Sequence, residues 1–151
     1  MPSIDSDVLI SLSPSDTFGV LKMDEIKDLL KDPNGMMTYE YIVNNVETCA
    51  DSLPILIDNL KRVDSTGQFL ASSARFLNAV DKEFFSPFIP ALIEGAIDKD
   101  RERKYIGSLL EAIWGPDYHD NAEALKTRDD CFRRVYKRIY PRGMFHSLIE
   151  D

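Results

Sequence analysis

Residues 52–79 and 88–115 carry one pattern twice, 36 positions apart and without a gap. The first copy reads SLPILIDNLKRVDSTGQFLASSARFLNA, and the second reads FIPALIEGAIDKDRERKYIGSLLEAIWG. Five of the 28 aligned positions are identical. The equivalent pairs include Pro54 with Pro90, Leu56 with Leu92, Ile57 with Ile93, Asp64 with Asp100, Phe69 with Tyr105 and Leu77 with Ile113. A period of this length is typical of stacked supersecondary units, none of which buries its apolar face alone. The repetition therefore predicts an architecture and a surface for binding macromolecules, and it names no ligand.

Length and composition limit the class of protein. A chain of 151 residues, of which 44% are apolar, fits one globular domain with a sizeable core. No segment approaches the roughly 18 consecutive apolar residues of a membrane span, and the N-terminus MPSIDSDVLISLS is acidic where a signal peptide is basic. We expect a cytoplasmic protein without a membrane partner, forming a single α-helical domain over residues 1–151. Within it we expect an acidic segment and helix over 1–37, three helix pairs over 38–140 and a tail over 141–151.

Charge is unevenly distributed along the chain. Residues 1–60 hold eleven acidic and three basic residues, so they carry the whole formal net charge of −8. Residues 61–151 hold fifteen of each sign, whereas the segment 126–142 holds seven basic residues and two acidic ones. Such a charge dipole steers association and selects partners, but it does not determine a fold.

The spacing of apolar residues predicts helices along most of the chain. We expect them over 16–31, 38–50, 53–62, 66–80, 86–97, 102–114 and 121–140, the last without interruption. Pro54 stands in a first helical turn, where its missing N–H costs nothing, and Gly115 ends the sixth helix of this series. The expected N-terminal caps are Ser52, Ser86, Asp100 and a capping box of Ser65 with Gln68.

Consecutive helices are expected to pack as pairs. The expected pairs are 39–50 with 53–62, 66–80 with 86–97, and 102–114 with 121–140. The predicted fold class is therefore all-α, arranged as a short array of antiparallel helix pairs. An irregular helical bundle is the alternative, because amphipathic helices joined by short loops form either architecture.

Two segments of these pairs, LPILIDNLKR and IPALIEGAID, have a proline, a leucine and a following acidic turn in common. They resemble the second helix of HEAT-like and armadillo-like repeats. The downstream DRERKYIGSLLEAI resembles the first helix of the next repeat, with Arg103 where the HEAT pattern favours a basic residue. The resemblance covers about residues 39–140, and Gly67 departs from it where a second arginine is expected. It implies a helical-repeat array with an extended surface for binding another protein.

The first candidate site is a basic stripe on the last helix. At about 100° per residue, Arg133, Arg134, Lys137 and Arg138 face solvent, opposite the apolar face that includes Phe132. These four cations suit an acidic partner surface or phosphates. An ordinary solvated helix face is the alternative. Nucleic acid is disfavoured, because nucleic-acid-binding domains are usually basic, whereas this chain is acidic overall.

The second candidate site is the loop that follows the sixth helix. It places the only tryptophan, Trp114, within five residues of Asp117, Tyr118 and His119. A carboxylate beside an imidazole orients the ring, which suits acid–base chemistry or a polar ligand pocket. An inter-helix turn in which Trp114 packs is the alternative.

No catalytic motif accompanies these candidates. The sequence contains no GxSxG, Cys–His, HExxH or glycine-rich phosphate-loop signature, and Cys49 and Cys131 have no metal-ligand spacing. We therefore expect no catalytic residue, metal or cofactor, but a module that binds another protein. The alternatives are a small enzyme or ligand-binding protein with a pocket near His119, and nucleic-acid binding through the last helix. The sequence leaves the oligomeric state open.

Overall fold

All regular secondary structure of the described residues is helical. The structure, a computed structural model, describes residues 24–141, and the all-α prediction is confirmed for that range. Residues 24–28 are helical and continue as a 3₁₀ turn over Leu29–Lys31. The helices that follow are α1 (Met36–Asn44), α2 (Leu53–Val63), α3 (Gln68–Phe85), α4 (Ile89–Lys99), α5 (Gly107–Trp114), α6 (Ala122–Arg128) and α7 (Asp130–Ile139). A second 3₁₀ turn, Ala50–Ser52, leads into α2. The expectations for residues 1–23 and 142–151 lie outside the described residues.

The described residues fall into two compact units, 24–32 and 33–141. In the first unit, Ile26, Leu29 and Asp32 are buried. The second unit holds helices α1 to α7 and both candidate sites. The expectation of one domain over the whole chain stays a prediction.

Contacts among the helices of the second unit define two layers. Helices α1, α3 and α5 are successive neighbours in one layer, and α2, α4 and α7 are successive neighbours in the other. Across the layers α1 packs on α2, α3 on α4 and α5 on α7, while α6 packs on α7. The three helix pairs expected from the sequence are therefore in contact.

The core is formed by the inward faces of these helices. The predicted core residues that are buried are Leu56, Ile57, Leu92, Ile93, Leu109, Leu110, Ile113, Phe132 and Val135. Burial of each such side chain contributes roughly 1.5–3 kcal/mol. The spacing of apolar residues also predicts that Val80 and Ile139 face inward. Ile139 is half-buried, and the expectation for Val80 is wrong, because its side chain is 48% exposed. Val80 stands at a break in α3, where Asp81 leaves the helical conformation (φ −162°, ψ 94°), so the apolar helix face does not continue past it.

The two copies of the 36-residue pattern have the same kind of aspartate cap. The carboxylate of Asp64 accepts hydrogen bonds from the backbone N–H groups three, five and six residues downstream, at 3.0, 2.9 and 2.9 Å. The carboxylate of Asp100 accepts from the N–H groups four, five and six residues downstream, at 2.8, 2.6 and 2.8 Å. Asp100 therefore caps the turn that leads into α5 and not α5 itself, whose N-cap residue is Ile106. The capping box of Ser65 with Gln68 is wrong, because Asp64 takes the N–H groups at the start of α3.

The residues before α3 and α5 also share a backbone conformation. Gly67 has φ 85°, and Arg103, which is its equivalent in the second copy, has φ 58°. Both lie in the left-handed region, so the substitution of glycine for arginine between the copies does not change the turn. At Gly67 a Cβ atom would lie 3.0 Å from the carbonyl oxygen of Ala96, which is tighter than ordinary contact.

Of the remaining predicted caps, Ser52 is the N-cap residue of α2 as expected, although its side chain makes no cap hydrogen bond, and the cap at Ser86 is wrong. Neither α2 nor α4 has a side-chain hydrogen bond at its N-terminus, and the residues that precede them are Ser52 and Phe88. Ser86 lies before the start of α4, and its hydroxyl donates to the carbonyl of Glu83 instead. Each helix has a proline in its first turn, a position where no N–H is needed for the helix.

Two predicted helices end earlier than expected. The helix over 38–50 stops at Asn44, because Asn45 leaves the helical region (φ −124°, ψ 27°) and its amide donates to the carbonyl of Tyr41 at 2.9 Å.

The prediction of an uninterrupted helix over 121–140 is wrong. Asp129 (φ −133°, ψ 105°) separates α6 from α7, and its carboxylate accepts from the N–H of Phe132 at 3.1 Å. Asp129 thereby satisfies an N–H group of α7 that has no partner within the helix.

Candidate functional site

The cations of the predicted basic stripe line a groove between α4 and α7, called here the cationic groove. Its volume is about 320 Å³. The lining residues are Ile97 and Asp98 from α4, and Arg133, Arg134, Lys137 and Arg138 from α7. Four cations therefore face one carboxylate and one aliphatic side chain.

Two of the four cations are engaged within the protein. Arg133 forms an ion pair with Asp130, and this hydrogen-bonded guanidinium holds the pKa of the Asp130 carboxyl below its usual range. Arg138 donates from Nη2 to the carbonyl of Ile97 at 2.8 Å, and its own carbonyl accepts from Nη1 of Arg103 at 3.2 Å. Arg138 is exposed, as the helical spacing predicts, and its head group also ties α7 to the last turn of α4.

The other two cations, Arg134 and Lys137, have no ion-pair partner among residues 24–141. Lys137 is exposed and Arg134 is half-buried. Their charges contribute little to the stability of the fold, since exposed charges are well solvated. They are the cations of the groove that an external carboxylate can reach.

The residues of the second predicted site take part in different contacts. The indole N–H of Trp114 donates to the Asp129 carboxylate at 2.7 Å. Tyr118 and His119 stack on each other, with ring centroids 4.2 Å apart. Asp117 is exposed, and within residues 24–141 its carboxylate makes no hydrogen bond to the imidazole. The structure thus brings Tyr118 and His119 together without the expected carboxylate–imidazole pair.

His119 belongs to an aromatic cluster that sequence reasoning did not predict. Its Nε2 lies 2.9 Å from the hydroxyl of Tyr140, which in turn lies 3.2 Å from the hydroxyl of Tyr118. Within the described part of the chain, the buried Nδ1 of His119 has no hydrogen-bond partner. Burial, followed by the Tyr140 hydroxyl, raises the pKa of Tyr118. A phenol with a raised pKa is neutral at pH 7, so Tyr118 contributes packing and a hydrogen bond rather than a charge.

Trp114 lines a separate cleft of about 380 Å³, called here the Trp114 cleft. Its buried apolar lining consists of Ile89, Ile93, Ile113 and Leu125, and its charged lining consists of Lys82, Arg128 and Asp129. These residues come from α3, α4, α5, α6 and the residue before α7. No sequence motif identifies such a cleft, because its members are brought together only by helix packing.

The thiol of Cys131 also lines the Trp114 cleft. Burial, then the negative charges of Asp129 and Glu94, raise the pKa of Cys131 to about 11. A nucleophilic or metal-binding cysteine requires the thiolate form, which is favoured by a lowered pKa. At neutral pH this cysteine is a neutral, half-buried thiol.

Within residues 24–141, no group of three or more histidine, cysteine, aspartate or glutamate side chains is placed to hold a metal ion. None of the helices in that range combines the length and apolar character needed to cross a membrane.

Comparison of the chain with protein-family models, curated proteins and solved structures finds no match.

Proposed function

We propose that this chain is a non-catalytic module that binds another protein. In this proposal the stacked helix pairs form a short HEAT-like array, and the cationic groove recognises an acidic segment of the partner. Two features support the array: the helices pack pairwise in two layers, and Asp64 and Asp100, 36 residues apart, each accept from the N–H groups of the fifth and sixth residues that follow them. Stacked helix pairs present extended surfaces of the kind used for protein recognition.

The observation that carries the proposal is the chemistry of the cationic groove. Arg134 and Lys137 stand at its edge without ion-pair partners in the described chain, beside the aliphatic side chain of Ile97. A groove with cations beside an aliphatic residue suits a segment that carries carboxylates next to apolar side chains. Complementary charges at the edge of an interface mainly increase the association rate and the selectivity.

A charge-reversal experiment tests this proposal. The groove variant Arg134→Glu/Lys137→Glu should bind a partner purified from the native host with a slower association rate. The matched control is Arg101→Glu/Lys104→Glu, which reverses two exposed cations outside the groove and changes the net charge by the same amount. Association measured at several salt concentrations should be strongly salt-dependent for the wild type and weakly so for the groove variant. Unchanged association of the groove variant, or an equal loss in the control, would contradict the proposal.

The same variants separate protein recognition from nucleic-acid recognition. Duplex DNA, used as a probe in a mobility-shift assay, should not bind the wild type at physiological salt, because the chain carries a net charge of −8. Binding of DNA that is lost in the groove variant and kept in the Arg101→Glu/Lys104→Glu control would replace the protein-binding proposal with a nucleic-acid one.

A further inference from the structure

The Trp114 cleft supports an inference that does not depend on the cationic groove. We propose that the cleft binds a small amphipathic carboxylate, that is, an apolar chain with one anionic head group. Its volume of about 380 Å³ falls at the lower end of the range of roughly 300–1,000 Å³ found for small-molecule sites. Such sites are mostly apolar, with a few polar groups that orient the ligand.

The apolar part of the ligand is matched by the buried lining. Ile89, Ile93 and Ile113 are each at most 7% exposed, yet all of them border the cleft. Because these side chains are already almost fully buried, the apolar surface removed from water is mainly that of the hydrocarbon chain itself, at roughly 25 cal/mol per Å². The indole of Trp114 adds a flat apolar wall.

The anionic part of the ligand is matched by Lys82 and Arg128. Both line the cleft, both are exposed, and neither forms an ion pair within residues 24–141. Asp129 is the only acidic lining residue, and its two carboxylate oxygens already accept from Trp114 Nε1 and from the N–H of Phe132. The lining of the cleft therefore carries two cations without ion pairs against one carboxylate that is already hydrogen-bonded within the protein.

The uncharged polar groups of the cleft are also occupied. The Asn78 amide donates to the carbonyl of Ala112 at 3.1 Å, and the Ser86 hydroxyl donates to the carbonyl of Glu83 at 2.9 Å. The two cations, Lys82 and Arg128, therefore determine the selectivity for the head group. Because Cys131 is a neutral thiol at pH 7, the proposal is one of reversible binding.

Octanoate is a suitable probe, and Trp114 is a built-in reporter because it is the only tryptophan in the chain. Titration of the full-length protein with octanoate should change Trp114 fluorescence saturably, and calorimetry should give the same dissociation constant. Octylammonium, which has the same chain and the opposite charge, should bind more weakly. The variant Lys82→Gln/Arg128→Gln should weaken octanoate binding about tenfold, whereas the control Arg101→Gln/Lys104→Gln should bind like the wild type.

A cleft-filling variant provides a second test. Ser86→Phe introduces a ring at an exposed lining position and should abolish octanoate binding while circular dichroism remains helical. The proposal is overturned if octanoate shows no saturable binding up to roughly 10 mM. It is also overturned if octylammonium binds as tightly as octanoate, or if the Lys82→Gln/Arg128→Gln variant keeps the wild-type affinity.

Discussion

Asp64 and Asp100, 36 residues apart, each accept hydrogen bonds from the backbone N–H groups of the fifth and sixth residues that follow them. Both are almost completely buried, at 1% and 2% exposed. A buried carboxylate is tolerated only when hydrogen bonds replace its hydration, and the N–H groups at a helix start need acceptors. Asp64 meets both requirements at the start of α3, whereas Asp100 satisfies the N–H groups of the residues that lead into α5.

Replacing Asp64 with alanine should strongly destabilise the fold. The substitution removes the acceptor of backbone N–H groups at Gly67, Phe69 and Leu70 and leaves them unsatisfied. We expect a loss of at least about 3 kcal/mol in the free energy of unfolding, measured by urea denaturation. The matched control is Asp58→Ala on the exposed face of α2, which should change that free energy by less than about 0.5 kcal/mol. An equal effect of the two substitutions would show that the cap at Asp64 is not important for stability.

Two glycine-to-alanine substitutions should have opposite effects. Gly67→Ala places a side chain at φ 85° and a Cβ atom 3.0 Å from the Ala96 carbonyl oxygen, so we expect a loss of about 1–3 kcal/mol. Gly107→Ala lies at the start of α5, where a Cβ atom would lie 3.4 Å from the side chain of Ile139, an ordinary contact distance. That substitution should stabilise the protein by about 0.5 kcal/mol, because alanine favours the helix. In thermal melting, Gly67→Ala should therefore lower the Tm and Gly107→Ala should raise it.

Two neighbouring arginines of α7 should differ in their contribution to stability. Arg138→Ala removes the hydrogen bond to the Ile97 carbonyl and should lower the free energy of unfolding by about 1–2 kcal/mol. Arg134→Ala should leave it within about 0.5 kcal/mol, because Arg134 has no ion pair in the described chain. Chemical denaturation of both variants is the measurement. Equal effects would mean that the anchoring contact of Arg138 contributes nothing.

The bond between Asp129 and Trp114 can be followed by fluorescence. Asp129→Ala removes both the cap of α7 and the acceptor of the indole N–H, so Trp114 emission should change and stability should fall by about 2 kcal/mol. Asp130→Ala is the adjacent control, since Asp130 pairs with Arg133 and not with the indole. Its emission spectrum should match that of the wild type. A change in emission in both variants would indicate a general rearrangement instead.

The raised pKa of Cys131 predicts a specific pH dependence. In a Cys49→Ala background, alkylation of Cys131 by iodoacetamide should accelerate with an inflection near pH 11, where the thiolate forms, and not near the ordinary value of 9.0. Because folding favours the protonated thiol, its contribution to stability is full below about pH 9 and is lost as the pH rises towards 11. An inflection near 9 would show that burial does not perturb this group.

The sequence by itself determined the helical class, the contacting helix pairs, Ser52 as the N-cap residue of α2 and the end of α5 at Gly115. These features depend on local information: the spacing of apolar residues along a helix, and the conformations that single residues favour at helix ends. Helix ends were predicted less accurately where two neighbouring residues both favour a capping position. Ser65 and Asp64, for example, are both suitable caps, and only Asp64 reaches the N–H groups of α3.

Only the tertiary structure decided the chemistry of the two candidate sites. Trp114 bonds to Asp129, fifteen residues away, and Arg138 bonds to Ile97, forty-one residues away. Neither contact can be predicted from helical periodicity. Periodicity predicts on which face of a helix a side chain lies, but not which group of another helix it contacts. The interruption at Asp129 has the same origin: its side chain caps α7 and holds the indole of α5 at once. Packing between helices, which brings distant side chains together, therefore placed Trp114 against Asp129 and left Arg134 and Lys137 as the cations of the groove without ion pairs in the described chain.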